Sequence, residues 1–358
     1  MIARPTLQIV RYTTVQAVSL VIVACGSDSP MAPPPPSIEP LYNQVVFDSD
    51  RDDLNRDLYV MNLDGSNLRR LTDSRFADFC PAVSPDGRRI AFYSSRLGGE
   101  LALYIMLADG SDVRFVAGPV APNHCPRWSA TGNRVLFFRP QRDPSTAVSL
   151  VAVSADGSHL TPASPDAQIA SADLSPDGLR IVFSRYSDSD RALTGVFVRP
   201  AAPLVKETAI DYDNSYGQPV SWSPDGAWVA YICSMLPPYQ LNGNLALCLA
   251  APDGSNSRKI DLGINYVDYR SLEWSPDSRF VIATGFNGRS IDVESGTTNE
   301  VPLGWSQVQW LGDARRLVYV DQPQFNNDVF ISAFDGTGAA NLTNSPADDQ
   351  HPSPGPLR

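Results

Sequence analysis

A four-residue motif, Ser-Pro-Asp-Gly, recurs along the chain and constrains its fold more than any other feature. It stands at 84–87, 175–178 and 223–226, with altered copies at 129–132 and 275–278. A β-branched and aromatic run follows each copy, as in Ile90-Ala91-Phe92-Tyr93. A period of about 45 residues is typical of solenoids, propellers and other repeat arrays. The fold is therefore set by the structure of one unit and by how the units join.

Each unit reads as four antiparallel strands. Proline suits the second place of a type I turn and glycine suits its exit, so Ser-Pro-Asp-Gly predicts a tight turn between two strands. A later Asp-Gly pair, which marks a hairpin, follows an apolar strand in most units. These pairs are Asp64-Gly65, Asp109-Gly110, Asp156-Gly157, Asp253-Gly254 and Asp335-Gly336. Four strands in about 45 residues is the size of one β-propeller blade.

The two ends of the chain complete the count of blades. Val45-Val46-Phe47 begins as a second strand with no first strand before it, and Asp349-Gln350-His351-Pro352 matches the start of an inner strand, Asp78-Phe79-Cys80-Pro81. We expect the C-terminal strand to pair with the first blade, which closes the ring and leaves no open edge. The prediction is an all-β, seven-bladed β-propeller over residues 44–358. Six blades are the alternative, if the short unit 271–303 merges with its neighbour.

The N-terminus predicts export. Residues 1–24 have the basic start and apolar run of a signal peptide, and the run is too short to span a bilayer. The sequence Ile22-Val23-Ala24-Cys25-Gly26 resembles the lipobox of bacterial lipoproteins. That resemblance implies a lipid on Cys25 and, in a Gram-negative cell, the outer membrane, facing periplasm or surface; an ordinary signal with an incidental cysteine is the alternative. Residues 25–43 then form a proline-rich, extended tether.

The net charge limits which partners the protein can bind, and the cysteines predict disulfides. The net charge of −11 repels phosphate backbones, so we expect no nucleic acid, membrane contact only through the lipid, and a monomer. Export permits disulfides, and we predict Cys80–Cys125 and Cys233–Cys248. Free buried thiols are the alternative, chiefly for the first pair, because equivalent points on neighbouring blades can lie too far apart.

Four tryptophans precede the first turns and are predicted to pack between blades: Trp128, Trp222, Trp274 and Trp310.

These motifs resemble the TolB-type propeller repeat, a WD-like family whose units read Pro-x-Trp-Ser-Pro-Asp-Gly and then Tyr-Val-Met-Asn-Leu-Asp-Gly. The second half stands here unchanged as Tyr59-Val60-Met61-Asn62-Leu63-Asp64-Gly65. The resemblance covers about 44–358 and implies the propeller fold. TolB itself has an α/β domain where this chain has its proline tether, so the resemblance implies a related repeat and not a Tol–Pal role.

Because neighbouring strands of a blade run in opposite directions, their connecting turns and loops lie on two opposite faces of the propeller. The tight turns after the first and third strands share one face, and the longer loops after the second and fourth strands share the other, where binding residues usually lie. Around the fifth blade these loops contain several tyrosines and aspartates: Tyr212, Tyr216, Tyr239, Tyr266, Tyr269, Asp211, Asp213 and Asp268. Tyrosine offers contact area with a polar tip, so we expect this sector to bind an envelope protein or a glycan. The alternative is that the rings cover blade edges.

A second candidate is the mouth of the central channel. Matching positions before inner strands hold Asp78, Asn123 and Asp349, with His124 and His351 close by. Their oxygen atoms could hold Ca²⁺ or a cationic side chain. The alternative is that the aspartates cap the start of each strand.

The sequence offers little for catalysis. It has no Gly-x-Ser-x-Gly motif, and its three histidines lie outside any zinc-binding spacing. Oligogalacturonate lyases resemble this repeat but need a histidine-rich metal centre that cannot be assembled here. We therefore predict a non-enzymatic lipoprotein scaffold without a required cofactor. The alternative is a polysaccharide lyase or glycosidase at the channel mouth, since the 39 acidic residues make carboxylate pairs common.

Overall fold

The computed structural model describes most of the chain from Ile38 onward. The described residues are 38–52, 55–122, 124–140, 148–162, 169–186, 193–201, 207–212, 215–235, 244–264, 269–285, 288–301, 306–323 and 326–358. The chain divides into units 1–37 and 38–358, and every described residue belongs to the second. The predicted signal peptide, Cys25 and most of the tether therefore lie outside the described residues. Within the described part, no helix is long and apolar enough to cross a membrane.

The second blade shows why these residues form a propeller blade. Its strands are β4 (Asp78–Val83), β5 (Arg89–Leu97), β6 (Glu100–Leu107) and β7 (Arg114–Ala117), paired antiparallel in that order. The middle strands are buried in their central residues, 90–94 and 102–106, because other blades cover both faces of the sheet there. Short continuous apolar runs bounded by turns are what such a position requires.

Five further four-stranded sheets repeat this order. Blades 3 to 5 contain β8 (Arg127–Trp128), β9 (Arg134–Pro140), β10 (Val148–Ser154), β11 (Thr161–Pro162), β12 (Ile169–Leu174), β13 (Arg180–Tyr186), β14 (Leu193–Pro200), β15 (Thr208–Tyr212), β16 (Ser215–Trp222), β17 (Val229–Ser234), β18 (Leu245–Ala250) and β19 (Arg258–Asp261). Blades 6 and 7 contain β20 (Tyr269–Trp274), β21 (Phe280–Gly285), β22 (Arg289–Asp292), β23 (Thr298–Glu300), β24 (Ser306–Trp310), β25 (Arg316–Asp321), β26 (Asp328–Ala333) and β27 (Ala340–Asn341).

The first blade is built from both ends of the propeller. Its order is β28 (Asp349–Pro354), β1 (Gln44–Ser49), β2 (Asp57–Asn62) and β3 (Arg69–Arg70). The C-terminal strand pairs antiparallel with β1, with Val45 opposite Pro354 and Ser49 opposite Asp349. The predicted closure and the count of seven blades are confirmed, and the six-bladed alternative is wrong.

The Ser-Pro-Asp-Gly turns form as their residues predict. In blade 2 the Gly87 N–H donates to the Ser84 carbonyl at 2.8 Å, and the Ser84 hydroxyl donates to Asp86 at 2.6 Å. Gly87 has a φ of +69°, a conformation that glycine adopts at no steric cost. In blades 6 and 7 the same position has positive φ with Ser278 and Ala314 instead.

The tryptophans before these turns pack between blades. The indole N–H of Trp128 in blade 3 donates to the Ala82 carbonyl in blade 2, at 2.8 Å. Trp310 in blade 7 makes the same bond to Glu273 in blade 6, at 3.0 Å. Each of these tryptophans therefore faces the preceding blade and ties the two inner strands together.

Both ends of the propeller unit lie on the tight-turn face. The Leu41 N–H donates to the Gly87 carbonyl in the first turn of blade 2, and Asn43 N–H donates to the Pro356 carbonyl. Leu41 is only 2% exposed. The entering segment 38–43 and the terminal residues 355–358 thus pack against each other on the face opposite the longer loops.

Candidate functional site in the central channel

Three charged side chains meet where the inner strands enclose the central channel. Arg127 of β8 contacts Glu273 of β20 at 2.8 Å and Asp173 of β12 at 3.6 Å. These strands are the inner strands of blades 3, 6 and 4. Blades 3 and 6 are not neighbours in the ring, so the Arg127–Glu273 contact crosses the channel. We call Arg127, Asp173 and Glu273 the channel triad.

Asp173 also joins its blade to the next. Its Oδ2 accepts hydrogen bonds from the Trp222 N–H at 2.9 Å and from the Ser221 hydroxyl at 3.3 Å, both in blade 5. Between blades 1 and 2 the Ser353 hydroxyl accepts from the Val83 N–H at 2.9 Å in the equivalent place. The position before the end of an inner strand therefore faces the following blade as well as the channel.

Arg127 and Glu273 of the channel triad shift each other's pKa values in the directions that favour their charged forms. Burial raises the pKa of Glu273, and the guanidinium of Arg127 opposes that rise. Glu273, followed by Asp173, raises the pKa of Arg127. One guanidinium thus serves two carboxylates, of which Glu273 is 13% exposed. The cluster carries one unit of net negative charge when both acids are ionised.

Replacing Arg127 with alanine should lower stability in a pH-dependent way. The pKa of Glu273 is higher in the folded than in the unfolded protein, so its protonated form favours folding, and that contribution is lost as pH rises through the raised pKa. Without Arg127 the pKa rises further. We therefore expect Arg127→Ala to cost about 1–3 kcal/mol at pH 8, from a lost charged hydrogen bond, and much less at pH 4.5.

Urea unfolding between pH 4.5 and 8 measures this difference. Arg114→Ala is the matched control, because Arg114 pairs with Asp112 at the surface and is 52% exposed. A destabilisation by Arg127→Ala that is constant across this pH range would contradict the role assigned to Glu273.

At the channel mouth, the predicted aspartates bind arginines of their own blades. Asp78 contacts Arg96 at 2.6 Å, and Asp349 contacts Arg51 at 2.7 Å. Both carboxylates are fully buried, and burial raises their pKa values while the arginines oppose that rise. Each carboxylate therefore holds a cationic side chain, one of the two ligands considered from the sequence, and the calcium site stays a prediction. Asn123 lies outside the described residues.

The two histidines of the mouth differ. His124 stacks on Phe138 with 4.3 Å between ring centroids, and burial lowers its pKa. His351 instead has its Nδ1 2.7 Å from Asp48, a fully buried carboxylate of β1. The main-chain N–H of His351 donates to the Gln307 side chain of blade 7.

Both predicted disulfides are present. Cys80 and Cys125 are linked across blades 2 and 3 with Cα atoms 5.1 Å apart, and Cys233 and Cys248 are linked within blade 5 at 5.9 Å. The alternative of free thiols is wrong for both pairs. The first disulfide shows that equivalent positions on neighbouring blades, near the channel, come close enough to be linked covalently.

A family model described as the TolB beta propeller domain matches residues 21–207. The chain belongs to the TolB β-propeller family. A search of curated proteins found no match.

Solved structures show the same fold in proteins of several kinds. TolB from Acinetobacter baumannii is 14% identical, with 88% of this chain and 67% of that one covered and a TM-score of 0.53. An oligogalacturonate lyase in complex with manganese is 12% identical, with 82% and 88% covered and a TM-score of 0.64. A puromycin hydrolase is 14% identical, with 85% and 52% covered and a TM-score of 0.60, so this chain spans about half of it. At such identities the likeness shows the fold alone, and the TolB-like fold supports a scaffold role without deciding between binding and catalysis.

The tyrosine sector of this TolB-family propeller is only partly described. Tyr269 is 5% exposed and packs among Leu245, Leu262 and Leu272, so its ring belongs to the core and not to a recognition surface. Asp211 accepts a hydrogen bond from the buried Tyr231 hydroxyl. Other members lie outside the described residues or have side chains that do: Tyr212, Asp213, Tyr216, Tyr239, Tyr266 and Asp268. For these residues the sector stays a prediction.

Sequence reasoning missed the channel triad, although a signal was present. In a strand, successive side chains point to opposite sides. Once Trp128 is assigned to the preceding blade, its neighbour Arg127 must face the other way. The same rule applied to Trp274 and Leu174 would have selected Glu273 and Asp173.

Proposed function

We propose that this protein is an exported, non-enzymatic lipoprotein of the cell envelope whose TolB-family propeller binds a protein or a glycan through its long-loop face. The observation that carries the proposal is the position of both ends of the propeller unit on the tight-turn face. The longer loops lie on the opposite face, away from the entering segment 38–43 and the terminal residues 355–358.

Two further observations support the proposal. The two disulfides suit an oxidising compartment, where such bonds form and persist. The channel carboxylates pair with arginines: Asp78 with Arg96, Asp349 with Arg51, and Glu273 with Arg127. Carboxylates engaged in this way stabilise the fold, within a blade or between blades, more readily than they perform acid–base chemistry.

Binding to a glycan panel and to detergent-solubilised envelope proteins tests the proposal. We expect the double variant Tyr212→Ala/Tyr266→Ala, in the predicted sector, to weaken retention at least about tenfold, as loss of aromatic contacts does at interfaces. Leu68→Ala is the control, because Leu68 is 45% exposed and follows a hairpin turn on the opposite face.

Three results would count against the proposal. If the tyrosine variant retains its ligand as well as the unchanged protein does, the tyrosine sector is not the binding site. If Leu68→Ala loses the ligand, binding occurs on the tight-turn face. Cleavage of a polyuronate on the panel would favour the alternative, a polysaccharide lyase or glycosidase.

A further inference from the structure

The disulfide between Cys80 and Cys125 lies beside a histidine from a third blade. A ring nitrogen of His351 and the two sulfur atoms all lie within 4.8 Å of one another. The three residues come from blades 1, 2 and 3 and occupy equivalent places near the start of the inner strands. Cys80 is 1% exposed, whereas Cys125 is only partly buried. Cys125 is therefore the more exposed residue of the pair.

The backbone is irregular at this point in the repeat. In blade 2 the register of the β4–β5 pairing shifts between Phe79 and Ala82. In blade 1 the register of the β1–β28 pairing shifts between Val46 and Asp48. Cys80 and His351 have φ values of +56° and +52°. Such bulges re-aim side chains and are over-represented next to active sites. Here they bring the imidazole and the sulfur atoms together.

A buried carboxylate orients the imidazole. Asp48 is fully buried, lies 2.7 Å from Nδ1 of His351 and also accepts a hydrogen bond from the Cys80 N–H at 3.0 Å. With Nδ1 engaged, Nε2 is the ring nitrogen left for other contacts. A carboxylate, an imidazole and a sulfur in this order stabilise a cysteine thiolate, because an imidazolium within a few ångströms favours the charged sulfur.

We propose that Cys80–Cys125 is an exchangeable, redox-active disulfide whose substrates are dithiols, either small molecules or reduced cysteine pairs of other proteins. A thiolate of the dithiol attacks the sulfur of Cys125, the more exposed residue of the pair, and the Cys80–Cys125 bond breaks as the mixed disulfide forms. Cys80 leaves with the bonding electron pair as a thiolate beside His351. The second thiol of the dithiol then attacks the mixed disulfide, so the dithiol is oxidised by two electrons and both protein cysteines are reduced.

The second disulfide provides an internal comparison. Cys233 and Cys248 are 0% and 2% exposed and lie among apolar side chains of blade 5. In the described part of the chain, no histidine or carboxylate forms a comparable group with them. Two purely structural disulfides would differ in reduction rate only through exposure, whereas an activated one depends on His351.

Time-resolved alkylation of the native full-length chain under dithiothreitol, read by peptide mass spectrometry, tests the proposal. We expect Cys80 and Cys125 to be reduced at least about tenfold faster than Cys233 and Cys248, because a stabilised leaving thiolate departs faster. His351→Asn should slow the first reduction about three- to tenfold and leave the second unchanged. Asparagine tolerates positive φ and can still donate to Asp48, so this variant removes the imidazole with little change of backbone.

His159→Asn is the matched control, because His159 also has positive φ, at 51°, and lies exposed on a hairpin turn. It should change neither rate. Equal rates for the two disulfides in the unchanged protein would overturn the proposal. So would a His351→Asn variant that folds and keeps the original ratio. If His351→Asn unfolds, both disulfides will react faster together; His351→Gln then takes its place, and the ratio of the two rates in that variant decides.

Discussion

Deleting residues 349–358 is expected to abolish cooperative folding of the propeller. The deletion removes β28, which is the inner strand of blade 1, and with it the pairing with β1 and several side-chain contacts. Among these contacts are Asp349 with Arg51, His351 with Asp48, and the Ser353 hydroxyl with the Val83 N–H. Asp48 would lose its imidazole partner and keep Arg56, and β1 would gain an open edge. The loss should exceed about 5 kcal/mol, comparable with the whole stability of an ordinary domain.

Urea unfolding followed by circular dichroism, with size-exclusion chromatography, measures this loss. Deletion of residues 1–37 is the control, since that segment lies outside the propeller unit. It removes far more chain and should leave the unfolding midpoint unchanged. A truncated protein that stays monomeric and unfolds at the original urea concentration would show that closure contributes little.

The two disulfides should differ in their effect on stability. Cys80 and Cys125 are separated by 45 residues and Cys233 and Cys248 by 15. A longer closed loop restricts the unfolded chain more, so Cys80→Ala/Cys125→Ala should cost about 4 kcal/mol and Cys233→Ala/Cys248→Ala about 3 kcal/mol. Each pair of variants is the control for the other, because both remove one disulfide from the same protein.

Denaturant midpoints and slopes for the two double variants measure the effect. A larger cost for the pair within blade 5 would show that packing around the sulfur atoms outweighs loop length. No cost for Cys80→Ala/Cys125→Ala would show that blades 2 and 3 are held without the covalent link.

The fold could be predicted because its determinants are local. A proline fixes one turn dihedral and a glycine at positive φ ends the turn, so Ser84 to Gly87 specify their own structure wherever the unit occurs. Ring closure was readable for a similar reason, since Asp349-Gln350-His351-Pro352 matches the start of a known unit. Both disulfides followed from equivalent or neighbouring positions in the repeat.

The channel contacts could not be predicted in the same way. The distance between Arg127 and Glu273 depends on how seven blades are arranged around the axis, and no local pattern encodes that arrangement. The mouth aspartates show the converse problem, because a matching acid at Asp78 and Asp349 suggested a shared ligand. Each is in fact paired within its own blade, with Arg96 or Arg51. Tyr269 likewise looked like a loop residue but begins β20 and is buried.

The shared first blade also fixes the timing of assembly. Strand β1 begins at Gln44, but its partner β28 begins at Asp349, so β1 waits for a strand that is made after all the other blades. A growing chain therefore carries an unpaired strand edge while blades 2 to 7 are synthesised, and such an edge attracts other chains. A propeller that passes through a translocation channel as an extended chain would complete its ring only on the far side, after β28 had crossed.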